Sequence, residues 1–238
     1  MKFLRSLRLG LLAMLVLGLA PAASNAGEFY YLLIFGSEDD PKHLRNAHTW
    51  AVFVRAVGEG TDQAGYQVTA HTLSWYPASK VVRLWSPCPE PGVNLTLEQT
   101  LETVLGLNEN VRLWGPFQIQ APLYNRSVAV YNEVASGRAQ YRAISALRDL
   151  YITDCIHVVA AVDPVFGRGH YPLIRIGQPA SRYMARQVMM RSLEKGVDQA
   201  ANDNSWLIPA LGLIRYPITI VPPSAITAEP CGLCKQEE

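Results

Sequence analysis

The stretch "HTWAVFVRAV", residues 48–57, constrains the fold more than any other part of the chain. It is dense in β-branched and aromatic residues, so it reads as a strand. A period of two puts His48, Trp50, Val52 and Val54 on one apolar face. It has neighbours of the same kind. "FYYLLIFGS" precedes it as a buried strand ended by Gly36 and Ser37. The Gly-rich connector "GEGTDQAG" follows, then "YQVTAHTLSWYP", stopped by Pro77, and "KVVRLWS", stopped by "PCPEPG". Strands joined by short polar or Gly-rich loops make an antiparallel meander.

Helical patterns dominate what comes next. Thr96 and Gln99 form a capping-box pattern ahead of Leu97, Leu101, Val104 and Leu105. "VRLWGPFQI" reads as a short edge strand with a Gly-Pro break. Between Pro122 and Gly137, Tyr124, Val128, Tyr131 and Ala135 make a helical stripe. Asp154 can cap a helix carrying Cys155 through Val162, closed by "DP". "YPLIRIG" is a strand candidate, and "SRYMARQVMMRSLEKG" is a helix running from Ser181 to Gly196. Residues 206–222 are apolar but broken by Pro209 and Pro217, and read as an ordered arm on the core surface. Strands first and helices mostly after them give an α+β fold, with the helices expected on one face of the sheet.

The two ends read differently from the middle. "MKFLRSLRLG" carries Lys2, Arg5 and Arg8, then comes the apolar "LLAMLVLGLA", then the small-residue "APAASNA". That order is the pattern of a secretory signal peptide, expected at 1–26 with cleavage after Ala26. A single α+β domain is expected over 27–221, and a flexible tail with a C-x-x-C over 222–238. Localisation is expected to be periplasmic or extracellular, with no transmembrane segment after signal removal. Loss of the three basic residues leaves 18 Lys and Arg against 20 Asp and Glu, a net charge of −2. Whole-chain charge therefore gives no reason to expect nucleic acid or an anionic membrane as partner.

Chemistry centres on "TDCIHVVAAVD", residues 153–163. A thiol in the first turn of a helix faces unpaired backbone N–H groups and the positive end of the helix dipole. Both favour thiolate, and the same N–H groups can hold an oxyanion. Export equally permits a disulfide, with Cys88 as partner. His157 is two residues from Cys155 on the same helix and is a poor base for it. His48 sits where a base would sit if its sheet packs on the cysteine helix. A symmetric turn over 58–65 would put His71 opposite Val52, on His48's face but roughly 13 Å along the strand. His43 and His170 read as loop residues. Cys231 and Cys234, in "CGLC", lack the strand and helix context of a redox motif.

A strand-borne His, a polar residue on the next strand and a later Cys at a helix start together resemble the circularly permuted papain-like cysteine hydrolases. The lecithin:retinol acyltransferase-like branch is the nearest in pattern. "AHTWAVFVRA", "AHTLSW" and "YRAISALRDLYITDCIHVVAAV" carry the resemblance. That branch commonly shows Asn-Cys-x-His, where this chain has Asp154-Cys155-Ile156-His157. The resemblance implies a permuted papain-like fold with Cys155 as nucleophile, His48 as base and His71 as orienting group. It implies acyl transfer through a thioester on a peptide, cell-wall or lipid acyl substrate, with no metal and no organic cofactor. The alternative is a non-catalytic exported binding or envelope protein that keeps the fold, with Cys155 structural.

Overall fold

The computed structural model describes residues 27–60, 63–144, 151–163, 176–190 and 203–226. The expected leader, His170, most of "YPLIRIG", the end of the helix from Ser181, and Cys231 and Cys234 lie outside the described residues.

The meander is present. Strands β1 (Gly27–Glu38), β2 (His48–Gly58) and β3 (Gln67–Leu73) pair antiparallel in chain order. The sheet continues past β1 to β6 (Asn110–Ile119) and β9 (Ile218–Val221), in the order β3-β2-β1-β6-β9. β6 lies antiparallel to β1 and parallel to β9, so the sheet is mixed. "VRLWGPFQI" thus lies in an internal ten-residue strand rather than a short edge strand. Its Pro is tolerated because the β1–β6 register shifts there, between Leu32 and Ile34. Gly115, at φ +112°, supplies the backbone that few other residues adopt. The extra residue resets the alternation, and Trp114, Phe117 and Ile119 all reach the same core.

A second, small sheet is built from β4 (Trp75–Pro77), β5 (Glu90–Asn94), β7 (Gln140–Tyr141) and β8 (Ile152–Thr153). "KVVRLWS" is not a strand but part of the loop between β4 and β5. Its alternation has no neighbouring strand to pair with, and Val81 and Trp85 stand in solvent. Asn94 closes the corner between the sheets. Its side chain accepts from Ser74 N at 2.8 Å and donates to Thr72 O at 2.7 Å.

Helices cover both faces of the large sheet, not one. Helix α1 (Leu97–Gly106) has the expected capping box at Thr96 and Gln99. It ends where Asn108 turns left-handed, at φ +57°. With the arm helix α5 (Leu207–Ala210) and the 3₁₀ turn Leu213–Arg215, α1 covers Leu33, Phe35, Trp50, Val52, Val54 and Leu113. The arm is therefore part of a core, with Leu207 fully buried. The opposite face, carrying Leu32, Ile34, Ala51 and Phe53, takes α2 (Ala121–Ala135), α3 (Cys155–Ala160) and α4 (Gln178–Met190). On α2 the buried stripe is Leu123, Ser127 and Val134, one residue off the tyrosine stripe. Tyr124 and Tyr131 instead flank that face and close on His71. The ordered core also runs past residue 221. α6 (Pro223–Ile226) buries Ile226 against the α2–α4 side.

Candidate active site around Cys155

Cys155 does open a helix, and Asp154 is its cap. Asp154 is extended, at φ −117° and ψ 177°, and its Oδ1 accepts from the N–H groups of Ile156 and His157, both at 2.9 Å. Its Oδ2 lies 2.6 Å from His157 Nδ1. Burial works against charge on His157, but the bond to Asp154 and its negative charge together hold the imidazole above its ordinary pKa. The cap has a chemical consequence. Two of the first-turn N–H groups, those of Ile156 and His157, already bond a carboxylate.

The thiol itself is 8% exposed and packed in the core. Burial, then the charge of Asp154, pushes it up to about 12, against the backbone N–H groups of Thr49, Cys155 and Ile156. Cys155 is therefore a neutral thiol at ordinary pH, and the neutral thiol is the unreactive form. Cys88, exposed, and Cys155, buried, are both unpaired, so the expected alternative bridge is not made.

His48 is turned away from this side. Its ring stacks on Trp50 at 5.3 Å and tilts against Tyr76 at 4.1 Å. Its Nε2 lies 3.0 Å from Ser74 Oγ, which in turn meets Thr100 of α1 at 2.8 Å. This is the α1 face of the sheet, whereas α3 packs on the other. Burial draws His48 down to about 3. Burial therefore opposes both charged partners of a proton transfer, the thiolate and the imidazolium. No hydrogen bond joins Cys155 to His48 or His71 among the described residues.

The strand residue that does face the cysteine side is Thr49, one position on. Its hydroxyl donates to Gly177 O at 3.2 Å and lies 3.1 Å from Ser181 Oγ, which donates to Phe35 O at 2.7 Å, so β1 and β2 are tied to the start of α4. Nothing in the sequence marks Thr49, which is not a titratable residue. Even so, the alternation along β2 was enough to find it once the face of α3 was known.

His71 is displaced in the other sense. It pairs with Phe53, and Thr72 pairs with Val52. The connector closes with the 3₁₀ turn Gln63–Gly65 and is not symmetric about 58–65. A slip of one residue flips every side chain. His71 thus shares the face of Cys155 but stands four strand positions from Thr49, in a box of Phe53, Tyr124 and Tyr131. Ser127 gives its one proton to Tyr124 O at 2.6 Å, so His71 Nε2 is the donor across the 2.9 Å contact to Ser127. Burial lowers His71 to about 4.

His71 is neutral in the fold, with a pKa below its unfolded value of 6.5. The stability it contributes is present above 6.5 and is lost as pH falls toward 4. Replacing it with Phe, which suits the aromatic box, is expected to reduce the loss of stability between pH 7 and pH 5 by about 1–2 kcal/mol. Urea unfolding of both chains at the two pH values measures this.

Of the other candidates, His43 bonds Asp39 from the surface at 2.6 Å. Among the described residues no group of three His, Cys, Asp or Glu is placed to hold a metal ion. No helix among them is long and apolar enough to cross a membrane. No known protein family, curated protein or solved structure matches this chain.

Proposed function

We propose that this chain is a non-catalytic exported binding or envelope protein. Its framework is similar to that of the permuted papain-like hydrolases, and Cys155 serves in it as a buried structural thiol. The observation that carries this reading is the one-residue offset on β2, which turns Thr49 toward the cysteine side and His48 to the α1 face. Two further facts support it. The carboxylate of Asp154 takes the N–H groups of Ile156 and His157, and burial favours the protonated thiol.

The test is direct. The exported protein is incubated with activated ester and amide acyl donors of peptide and fatty-acid type, and its intact mass is followed. The expected result is no acyl adduct on Cys155. An adduct that Cys155→Ser abolishes would replace this reading with the thiol hydrolase or acyltransferase. One observation favours that second reading: Cys155 is an unpaired thiol at a capped helix start.

A further inference from the structure

The whole-chain charge hides a local reversal. The loop from β4 to β5, residues 78–89, holds the most exposed of the large apolar side chains described, Trp85 at 82%, and with it Val81 at 54%. Lys80 and Arg83 alternate with them and are also exposed. Neither forms an ion pair among the described residues. No Asp or Glu occurs from Pro77 to Pro89. The first carboxylate beyond it is Glu90, half-buried at the base of the loop. A chain expected to be net negative after export thus projects a loop of two unpaired cations and an indole.

A further apolar side chain is exposed close in chain to the strand that pairs with the base of the loop. Glu90 pairs with Tyr141, so β7 leaves the small sheet at the loop's end, and Ile144 follows there at 49% exposure. The other strand-region tryptophans, Trp50, Trp75 and Trp114, are core residues. Trp85 has no such packing role.

An indole next to Lys and Arg is the composition that suits a lipid headgroup layer. The ring fits the boundary between headgroups and chains, and the cations meet lipid phosphates. We propose that residues 78–89 dock this protein onto an anionic lipid bilayer, with Trp85 and Val81 at the headgroup boundary and Lys80 and Arg83 on the phosphates. The occupant is chosen by charge complementarity. A protein partner would need acidic groups placed around one indole, whereas an anionic bilayer presents them at every approach.

The experiment is vesicle flotation of the exported protein. It uses phosphatidylcholine vesicles with and without roughly a third phosphatidylglycerol. Wild type is expected to float with the anionic vesicles only, less so at high salt, with a blue shift in tryptophan emission. The Lys80→Gln/Arg83→Gln double variant is expected to partition about thirtyfold more weakly. Trp85→Ser is expected to partition about tenfold more weakly and to lose the blue shift. These side chains contact little, so the variants should unfold at the wild-type temperature. Failure of wild type to float overturns the proposal and leaves the loop to a protein partner. Equal flotation with both lipids, or equal flotation of all three chains, also overturns it.

Discussion

Asp154→Ala is expected to destabilise the protein by about 2–4 kcal/mol. Asp154 is 5% exposed and both its oxygens are engaged. Oδ1 satisfies two orphan N–H groups at the start of α3, and losing such a cap alone costs about 1–2 kcal/mol. Oδ2 holds the His157 ring, whose side chain is only 18% exposed. Without the carboxylate, that ring must stay neutral or carry a buried charge uncompensated. The same change removes the negative charge that helps keep the Cys155 proton in place. The variant should therefore be less stable and have a more acidic Cys155. Asp154→Asn separates the two effects. It keeps an acceptor for the cap while removing the charge, so most of the stability should return and the acidified thiol should remain.

Glu109→Gln is expected to stabilise the protein by about 2–3 kcal/mol at pH 9 and by little at pH 5. Glu109 lies just past the left-handed Asn108, 3% exposed, and neither carboxyl oxygen has a hydrogen-bond partner within normal reach. Burial raises its pKa to about 7; Ser37 pulls the other way, and the charge of Asp39 adds to the rise. A carboxyl with a folded value above its unfolded 4.5 favours the fold fully below 4.5 and loses that contribution as pH rises through 7. The amide mimics the protonated form and does not ionise. In the wild type this group offsets part of the acid loss caused by the buried histidines. The Gln variant should therefore show a steeper fall in stability from pH 7 toward pH 5. Denaturant unfolding at pH 5, 7 and 9 reads both effects.

The elements were largely legible in the sequence, and the site was legible only in part. β1, β2 and α1 follow from residue type, and the Thr96 and Asp154 caps are where the sequence puts them. What the sequence could not reveal was which face of β2 meets α3. Trp50, Val52 and Val54 are buried on one side, Ala51 and Phe53 on the other. With both faces apolar, no polar stripe marks the outside, and His48 and Thr49 compete for one role by a single residue. The same arithmetic moved His71. Its face depends on whether the connector after β2 holds an even or odd number of residues, and nothing in "GEGTDQAG" fixes that. β6 reads as a short edge strand because Pro116 suits an edge unless the bulge beside it is known. "KVVRLWS" reads as a strand although its alternation of apolar and basic residues suits an exposed loop equally well.

The measurement that tests the central claim most directly is the alkylation rate of Cys155 in the native protein against pH. Cys88, exposed on the same chain, serves as the internal reference, and peptide mass spectrometry distinguishes the two. The account predicts that Cys155 labels far more slowly than Cys88 throughout pH 6–9, reaches the same rate only in denaturant, and responds to His48→Ala only through stability. Labelling of native Cys155 at or below neutral pH faster than Cys88, and slowed by His48→Ala in a folded protein, would contradict it. Cys155 would then be an activated nucleophile.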